Sequence, residues 1–178
     1  MHPWLKKLWP TWLLESVLQI TPAEAKKHGI KAVLTDLDNT LIPWNSEVVP
    51  ASLHNWAQAL ADHDIEVLIL SNNNGARVRH IAEQLGVHYL APAYKPRRKG
   101  YRQALEKLAC KKEEAVLVGD QLFTDILGAS RFGLRSILVK PVVASDGKWT
   151  RVNRRLEKLF LEYCAREKLH WDWRDQLD

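Results

Sequence analysis

Ala32-Val33-Leu34-Thr35-Asp36-Leu37-Asp38-Asn39-Thr40-Leu41 is the stretch from which the architecture of this chain is read. A short apolar run leads into two carboxylates separated by one residue. The run is too short for a helix and has the branched side chains of a buried strand. The acids therefore fall just beyond its carboxyl end, where parallel α/β sheets open their ligand crevice. Period-two alternation sends Asp36 and Asp38 one way and Leu37 the other, into apolar packing. Two carboxylates buried together are unfavourable unless a cation neutralises them or one keeps its proton, so the pair implies a metal or a proton-transfer role. A lone Asp-x-Asp leaves open a plainer reading, in which the acids end the strand and cap the turn after it.

Outward from this stretch the chain alternates short apolar runs with helix-like segments. Strands are expected at Lys31 to Leu37, Glu66 to Leu70, Val87 to Leu90, Ala115 to Val118 and Ser136 to Val139. Helices are expected at Ser52 to Asp62, Arg77 to Gln84, Gly100 to Ala109 and Asp125 to Phe132, with Gly86 and Gly133 where C-terminal caps fall. That alternation predicts an α/β fold, a Rossmann-like three-layer α/β/α arrangement around a mainly parallel five-stranded sheet. Thr21-Pro22-Ala23-Glu24 reads as a capping box with proline in the first turn, and Gly29 ends the short helix it opens.

The 178 residues, 46% of them hydrophobic, suffice for one sizeable core, and no repeat or low-complexity linker divides them. A single unit over 1–178 is expected, with an N-terminal helical segment at 1–30, a core at 31–143 and a C-terminal helix at 152–169. No stretch approaches the roughly 18 apolar residues of a membrane span, and the start lacks a secretion-signal pattern, which makes the cytoplasm the default compartment. Cys110 and Cys164 have no CxxC partner and read as ordinary thiols. The formal charge of +5 suits acidic partners. No zinc-finger spacing or RNP-like motif accompanies it, so no specific nucleic-acid partner is expected.

Three further strand ends carry polar groups: Ser71-Asn72-Asn73, Lys95-Pro96, and Gly119-Asp120 with Asp125. Together with Asp36-Leu37-Asp38-Asn39-Thr40-Leu41 the set resembles the haloacid dehalogenase (HAD) superfamily of phosphatases, from Lys31 to about Val143. The stretches DLDNTLIPW, SNNN, YKP and GDQLFTDILG resemble more closely its subclass IIIA, the YqeG-type phosphatases, relatives of the mitochondrial phosphatidylglycerophosphate phosphatase. The resemblance implies a magnesium-dependent phosphomonoesterase acting through an aspartyl-phosphate on a lipid headgroup phosphate. Asp36 would be the nucleophile and Asp38 the acid/base. Thr40 would bond within the motif and orient Asp38, although a turn-stabilising hydroxyl is equally compatible. Ser71 and Asn72 would face the phosphoryl group, with a simple N-cap as the alternative for Ser71. Lys95 would supply positive charge to phosphate and nucleophile, with Lys99 as the competing choice; the resemblance carries Lys-Pro as a unit, which favours Lys95. Asp36, Asp120 and Asp38, the last through its backbone carbonyl, would hold Mg²⁺. Asp125 would stand behind them, positioning Lys95 or a metal-bound water, or serve as a helix N-cap.

Only 33 positions separate Asp38 from Ser71 and 24 separate Ser71 from Lys95, each filled by a helix and a strand, so no inserted cap domain is expected. An open site suits a large or anchored substrate. Trp4 to Leu14, mixing tryptophans, leucines and lysines, reads either as an interfacial membrane anchor or as an added helix packed on the sheet, with Pro10 interrupting any continuous helix. Trp44 lies in a loop able to cover the site or simply to pack on its neighbours. Arg97, Arg98 and Lys99 form a solvated or substrate-facing cluster. Val152 to Leu169 reads as an amphipathic helix whose Arg154, Arg155, Lys158, Arg166 and Lys168 make a solvated face, or less often a membrane or partner surface. Soluble sugar or nucleotide phosphates are the alternative substrates; a phospho-receiver or an inactive binding module is the non-enzyme alternative.

Overall fold

The structure is a computed structural model that describes residues 5–73, 75–145, 150–167 and 171–177. Six parallel strands form one sheet: β1 (Trp12–Leu14), β2 (Ala32–Thr35), β3 (Glu66–Leu70), β4 (His88–Leu90), β5 (Ala115–Gly119) and β6 (Arg135–Val139), in the order β1-β6-β5-β2-β3-β4. Five occupy the expected runs. The sixth, β1, corrects the five-strand expectation: it pairs in parallel with β6, Trp12 opposite Ile137 and Leu14 opposite Val139.

The helices are α1 (Pro22–Lys27), α2 (Ala51–Ala61), α3 (Gly75–Leu85), α4 (Arg98–Lys107), α5 (Leu127–Phe132) and α6 (Thr150–Arg166). They divide between two faces, and strand alternation explains why. Val33, Val67, Ile69, Val116 and Val118 face one core with Ala25 of α1, Leu53 and Leu60 of α2, and Val78 and Ile81 of α3. Leu34, Leu68, Leu70 and Leu117 face the other, with Tyr101 and Ala104 of α4 and Ala129 of α5. The result is the Rossmann-like three-layer fold. Thr21 caps α1 by accepting from the Glu24 amide, whereas the Glu24 carboxylate accepts from the Leu177 amide and so ties down the end of the chain. Gly133 ends α5 in the left-handed conformation a C-cap demands, at φ 86°.

Of the two readings of the N-terminal stretch, packing on the sheet is what the structure shows, as a 3-10 turn (Leu5–Leu8) and a strand rather than an added helix. Leu5, Leu8 and Leu13 are buried in a third cluster with Leu122, Ile126, Phe160 and Cys164, and Leu14 joins the first core. Their apolar surface is therefore used inside the fold. Trp4 lies outside the described residues, as do Lys168 and Leu169 of the expected C-terminal helix and Asn74 of the SNNN stretch. No helix among the described residues is long and apolar enough to cross a membrane.

From β2 the chain steps outward through β3 to β4, then returns to lay β5 on the other side of β2. This reversal between β2 and β5 is the topological switch point at which open α/β sheets leave a crevice beyond their carboxyl ends.

Candidate active site

Asp36 is the first residue past β2; its amide donates to the Val118 carbonyl of β5, so the strand pairing itself places the residue at the crevice. Its side chain is buried, and Lys95 Nζ donates to its Oδ1 at 2.7 Å. The same ammonium lies 2.7 Å from Asp125 Oδ1, leaving Lys95 2% exposed between two carboxylates. Burial opposes a charge on Lys95, but the Asp125 and Asp36 carboxylates outweigh it and raise its pKa above the ordinary lysine value. Burial pushes Asp125 up to about 6 despite Lys95. Backbone geometry steadies the lysine: Tyr94 before it is left-handed at φ 55°, the Lys95–Pro96 peptide is cis, and the Asn72 side-chain amide bonds both to the Lys95 amide (2.6 Å) and to its carbonyl (2.9 Å).

A π-helical turn (Leu122–Ile126) follows β5 and carries Asp125 inward, a common use of such turns. Asp125 caps no helix; its Oδ2 accepts from the Gln121 amide, and the carboxylate folds over Gly119. A Cβ at 119 would lie 2.4 Å from Asp125 Cγ. Gly119→Ala should therefore displace Asp125, lower stability by about 1–3 kcal/mol and weaken magnesium-induced stabilisation. Thermal melts with and without Mg²⁺ test this, and an unchanged response to the ion would refute it.

Asp38 has its own partners. Arg77 Nη1 reaches its Oδ1 at 2.5 Å and Asn73 Nδ2 its Oδ2 at 3.0 Å. Arg77, near the start of α3, also donates to the carbonyls of Pro43 (3.1 Å) and Ser46 (2.6 Å), pinning the loop after the motif to this acid. Burial, more than anything else, raises the Asp38 pKa above the ordinary carboxylate value; Asn73 lowers it, the Asp36 charge raises it and Arg77 lowers it. The turn between them is closed by Asn39, left-handed at φ 62°, whose side chain accepts from the Trp44 amide and donates to the Ser145 carbonyl. Trp44 packs in that loop with its ring nitrogen on Ser145 Oγ.

Asp120, the first residue past β5, accepts from Thr40 Oγ1 at 3.2 Å and from Arg154 of α6, which also donates to the Asp120 carbonyl and to Glu157. Glu157, itself buried, accepts from the Leu122 amide at 2.6 Å. Burial pushes the Asp120 carboxyl well up, against the pull of Arg154. Two expectations change here. The Thr40 hydroxyl engages Asp120 rather than orienting Asp38, and Arg154 leaves the solvated face assigned to it to bind a buried acid. Ser71 is buried, with its Oγ accepting from the Asn73 amide, a local turn contact.

Asp36, Asp120 and Asp125 each offer an oxygen within 4.8 Å of the other two. Three buried acids with two cations beside them offer an all-oxygen donor set that suits a hard divalent ion such as magnesium. The Asp38 carboxylate, held by Arg77 and Asn73, is outside that group, while Asp125 is within it and also contacts Lys95. Arg77, Arg154 and Glu157 escaped sequence reading. Their only signals, a basic residue early in a helix and an Arg/Glu pair three apart, are those of ordinary helix surfaces.

Relatives sharpen this picture. The HAD-hydrolase-like family model matches residues 93–157. The probable phosphatase YqeG of Bacillus subtilis is 40% identical over 96% of this chain and 99% of its own length. The chain belongs to the HAD-like phosphatases. Within this family, the phosphatidylglycerophosphate phosphatase 1 of Arabidopsis thaliana is 29% identical, over 81% of this chain and 44% of that protein. Among solved structures, the cobalt-bound deoxy-D-mannose-octulosonate 8-phosphate phosphatase of Haemophilus influenzae matches 77% of this chain and 90% of its own at TM-score 0.52 and 18% identity. The related enzyme of Moraxella catarrhalis, solved with magnesium and phosphate, matches 82% and 96% at TM-score 0.50 and 19% identity. Those likenesses confirm the HAD-like fold, and the relatives make the chain a phosphatase rather than a phospho-receiver or an idle scaffold.

Proposed function

We propose that this HAD-like phosphatase is magnesium-dependent, that Asp36 takes the phosphoryl group, and that its substrate is phosphatidylglycerophosphate or a related lipid headgroup phosphate. The observation that carries the reading is the division of labour between two acids two residues apart: Asp36 buried on Lys95, Asp38 held separately by Arg77 and Asn73. Lys95 holds one Asp36 oxygen, and the other attacks phosphorus as the bond to the leaving oxygen breaks. Asp38, its pKa raised by burial, gives its proton to that oxygen. The Asp38 carboxylate then takes a proton from water, whose oxygen displaces Asp36 from phosphorus and releases inorganic phosphate. Lys95 faces the equatorial oxygens, where charge accumulates. Asp36 and Asp120, with the Asp38 carbonyl, would hold magnesium, which would supply the charge that offsets repulsion between carboxylate and phosphate. Ser71 and Thr40 complete the polar wall on the phosphoryl side.

The substrate reading is supported by the named activity of the plant and algal relatives and by the short β2–β3 and β3–β4 connections, which contain α2 and α3 but no inserted lid. It places the chain in the cytoplasm with peripheral membrane contact. A panel comparing phosphatidylglycerophosphate with soluble phosphomonoesters tests it; rapid turnover of a sugar or nucleotide phosphate with the lipid untouched would overturn the substrate.

Because Asp38 must be protonated to serve the leaving oxygen, activity should fall as pH rises through its raised pKa. Arg77 stabilises the charged form, so Arg77→Gln should move that alkaline limb of kcat/KM to higher pH while lowering the plateau about 10-fold or more through loss of alignment. An unmoved limb would remove Asp38 from the acid's role.

A further inference from the structure

The rim around Asp36 and Asp38 combines exposed apolar tips with unopposed positive charge. Trp44 is 37% and Val48 75% exposed on the loop after β2, and Tyr94, 58% exposed, directly precedes Lys95 after β4. All three follow carboxyl ends of strands, on the same side of the sheet as the site. Arg97, Arg98 and Lys99 follow Tyr94, exposed, and the Arg97 amide donates to the Tyr94 carbonyl. Between Glu83 and Glu106 there is no acidic residue, and across the rim Glu47 is the single acid of the Trp44–Val48 loop. The three cations also crowd the start of α4, whose first turn holds no acid. There they oppose the positive end of the helix dipole. Helix stability does not account for them.

We propose that this rim is a docking surface for an anionic lipid bilayer, which seats the active-site mouth directly on the headgroup layer. The inference deepens the lipid-headgroup reading and rests on it. Charge complementarity selects the occupant: basic side chains gain by approaching anionic lipid, while tryptophan and tyrosine favour the depth where headgroups meet acyl chains. The loop carrying Trp44 is tied by Arg77 to Asp38, so its insertion and the position of that acid are coupled. Leu5, Leu8, Leu13 and Leu14 of the N-terminal stretch are buried in the fold and offer a membrane little apolar surface.

The test is cosedimentation of the full chain with vesicles of phosphatidylcholine plus phosphatidylglycerol and with vesicles of phosphatidylcholine alone, alongside hydrolysis of a soluble aryl phosphate. The wild type should bind the anionic vesicles, and added salt should weaken binding. Arg97→Gln/Arg98→Gln/Lys99→Gln should reduce partitioning by roughly 100-fold, from about five-fold per charge, with aryl phosphate hydrolysis unchanged and melting temperature no lower. Val48→Ser/Tyr94→Ser should weaken binding at unchanged salt dependence. Lys6→Gln/Lys7→Gln, altering exposed charges of the N-terminal turn, should have little effect. Absence of binding to anionic vesicles, binding indifferent to the rim variants, loss of binding confined to the Lys6/Lys7 variant, or a rim that instead sets the oligomeric state in sedimentation would each overturn the proposal. The two readings fail separately. Vesicle binding without cleavage of a lipid phosphate would sink the substrate and keep the docking surface; cleavage of lipid phosphate dispersed in detergent without vesicle binding would do the reverse.

Discussion

Asp36→Asn should lower kcat for an aryl phosphate in excess Mg²⁺ by at least about 10⁴-fold, because it removes the carboxylate proposed to accept the phosphoryl group. The amide keeps the size and the contact with Lys95 but lacks the charge that makes a nucleophile. Melting separates this from a folding defect. Asp36 contributes a negative charge that raises the pKa values of Asp120, Asp125 and Asp38. Neutralising it relieves like-charge crowding, so the variant without magnesium should melt no lower than wild type. Stabilisation by magnesium should shrink, since one of three clustered oxygens is lost. Residual activity near the wild-type level would transfer the nucleophile to another group; a melting temperature several degrees lower would mean that Asp36 holds the fold together.

The acidic motif and the strands near it were legible because their signals are local. Asp36 and Asp38 end a run that can only be a buried strand, and each later polar group follows another such run. What was not legible depends on distant stretches meeting. Trp12–Leu14 has the composition of an anchor or a helix flank and becomes a strand because β6, more than a hundred residues later, offers an edge for it. Arg154 sits on a helix with several other cations, and nothing in its neighbours marks it as the one that reaches Asp120. Asp125 reads either as a residue that positions Lys95 or a metal-bound water or as a helix N-cap, and no local pattern announces the π-helical turn that folds it over Gly119, a position that only glycine leaves free. Thr40 lies in the right motif, yet its partner, Asp120, comes just past β5. Short-range pattern thus revealed which residues gather at the rim, and the packing of α3 and α6 determined how they are paired.

That pairing makes Lys95 the most exposed to substitution of all the site's charges. Among the described residues it is the one cation in contact with both Asp36 and Asp125, and its side chain is only 2% exposed. Lys95→Met preserves length and apolar stem but leaves two buried carboxylates without their partner, a loss of about 3–5 kcal/mol. For a chain of this size that corresponds to roughly 10 °C in Tm. The sign with pH follows from linkage. Without the ammonium, the Asp125 carboxyl loses the partner that lowers its pKa and rises further above its unfolded value, which destabilises the fold once pH exceeds the unfolded value. Protonation relieves it, so the deficit should be smaller near pH 5 than near pH 8, and part of it should return when excess Mg²⁺ supplies the missing charge. Activity should fall about 10³-fold even with magnesium, because the ion cannot also stand where the ammonium meets the equatorial oxygens. Lys95→Arg should not rescue either property, since a planar guanidinium does not fit a closed niche shaped for a point charge. A variant that melts like wild type at both pH values would mean that Asp125 is already neutral in the native site, and the electrostatic logic of the whole crevice would have to be rebuilt from that fact.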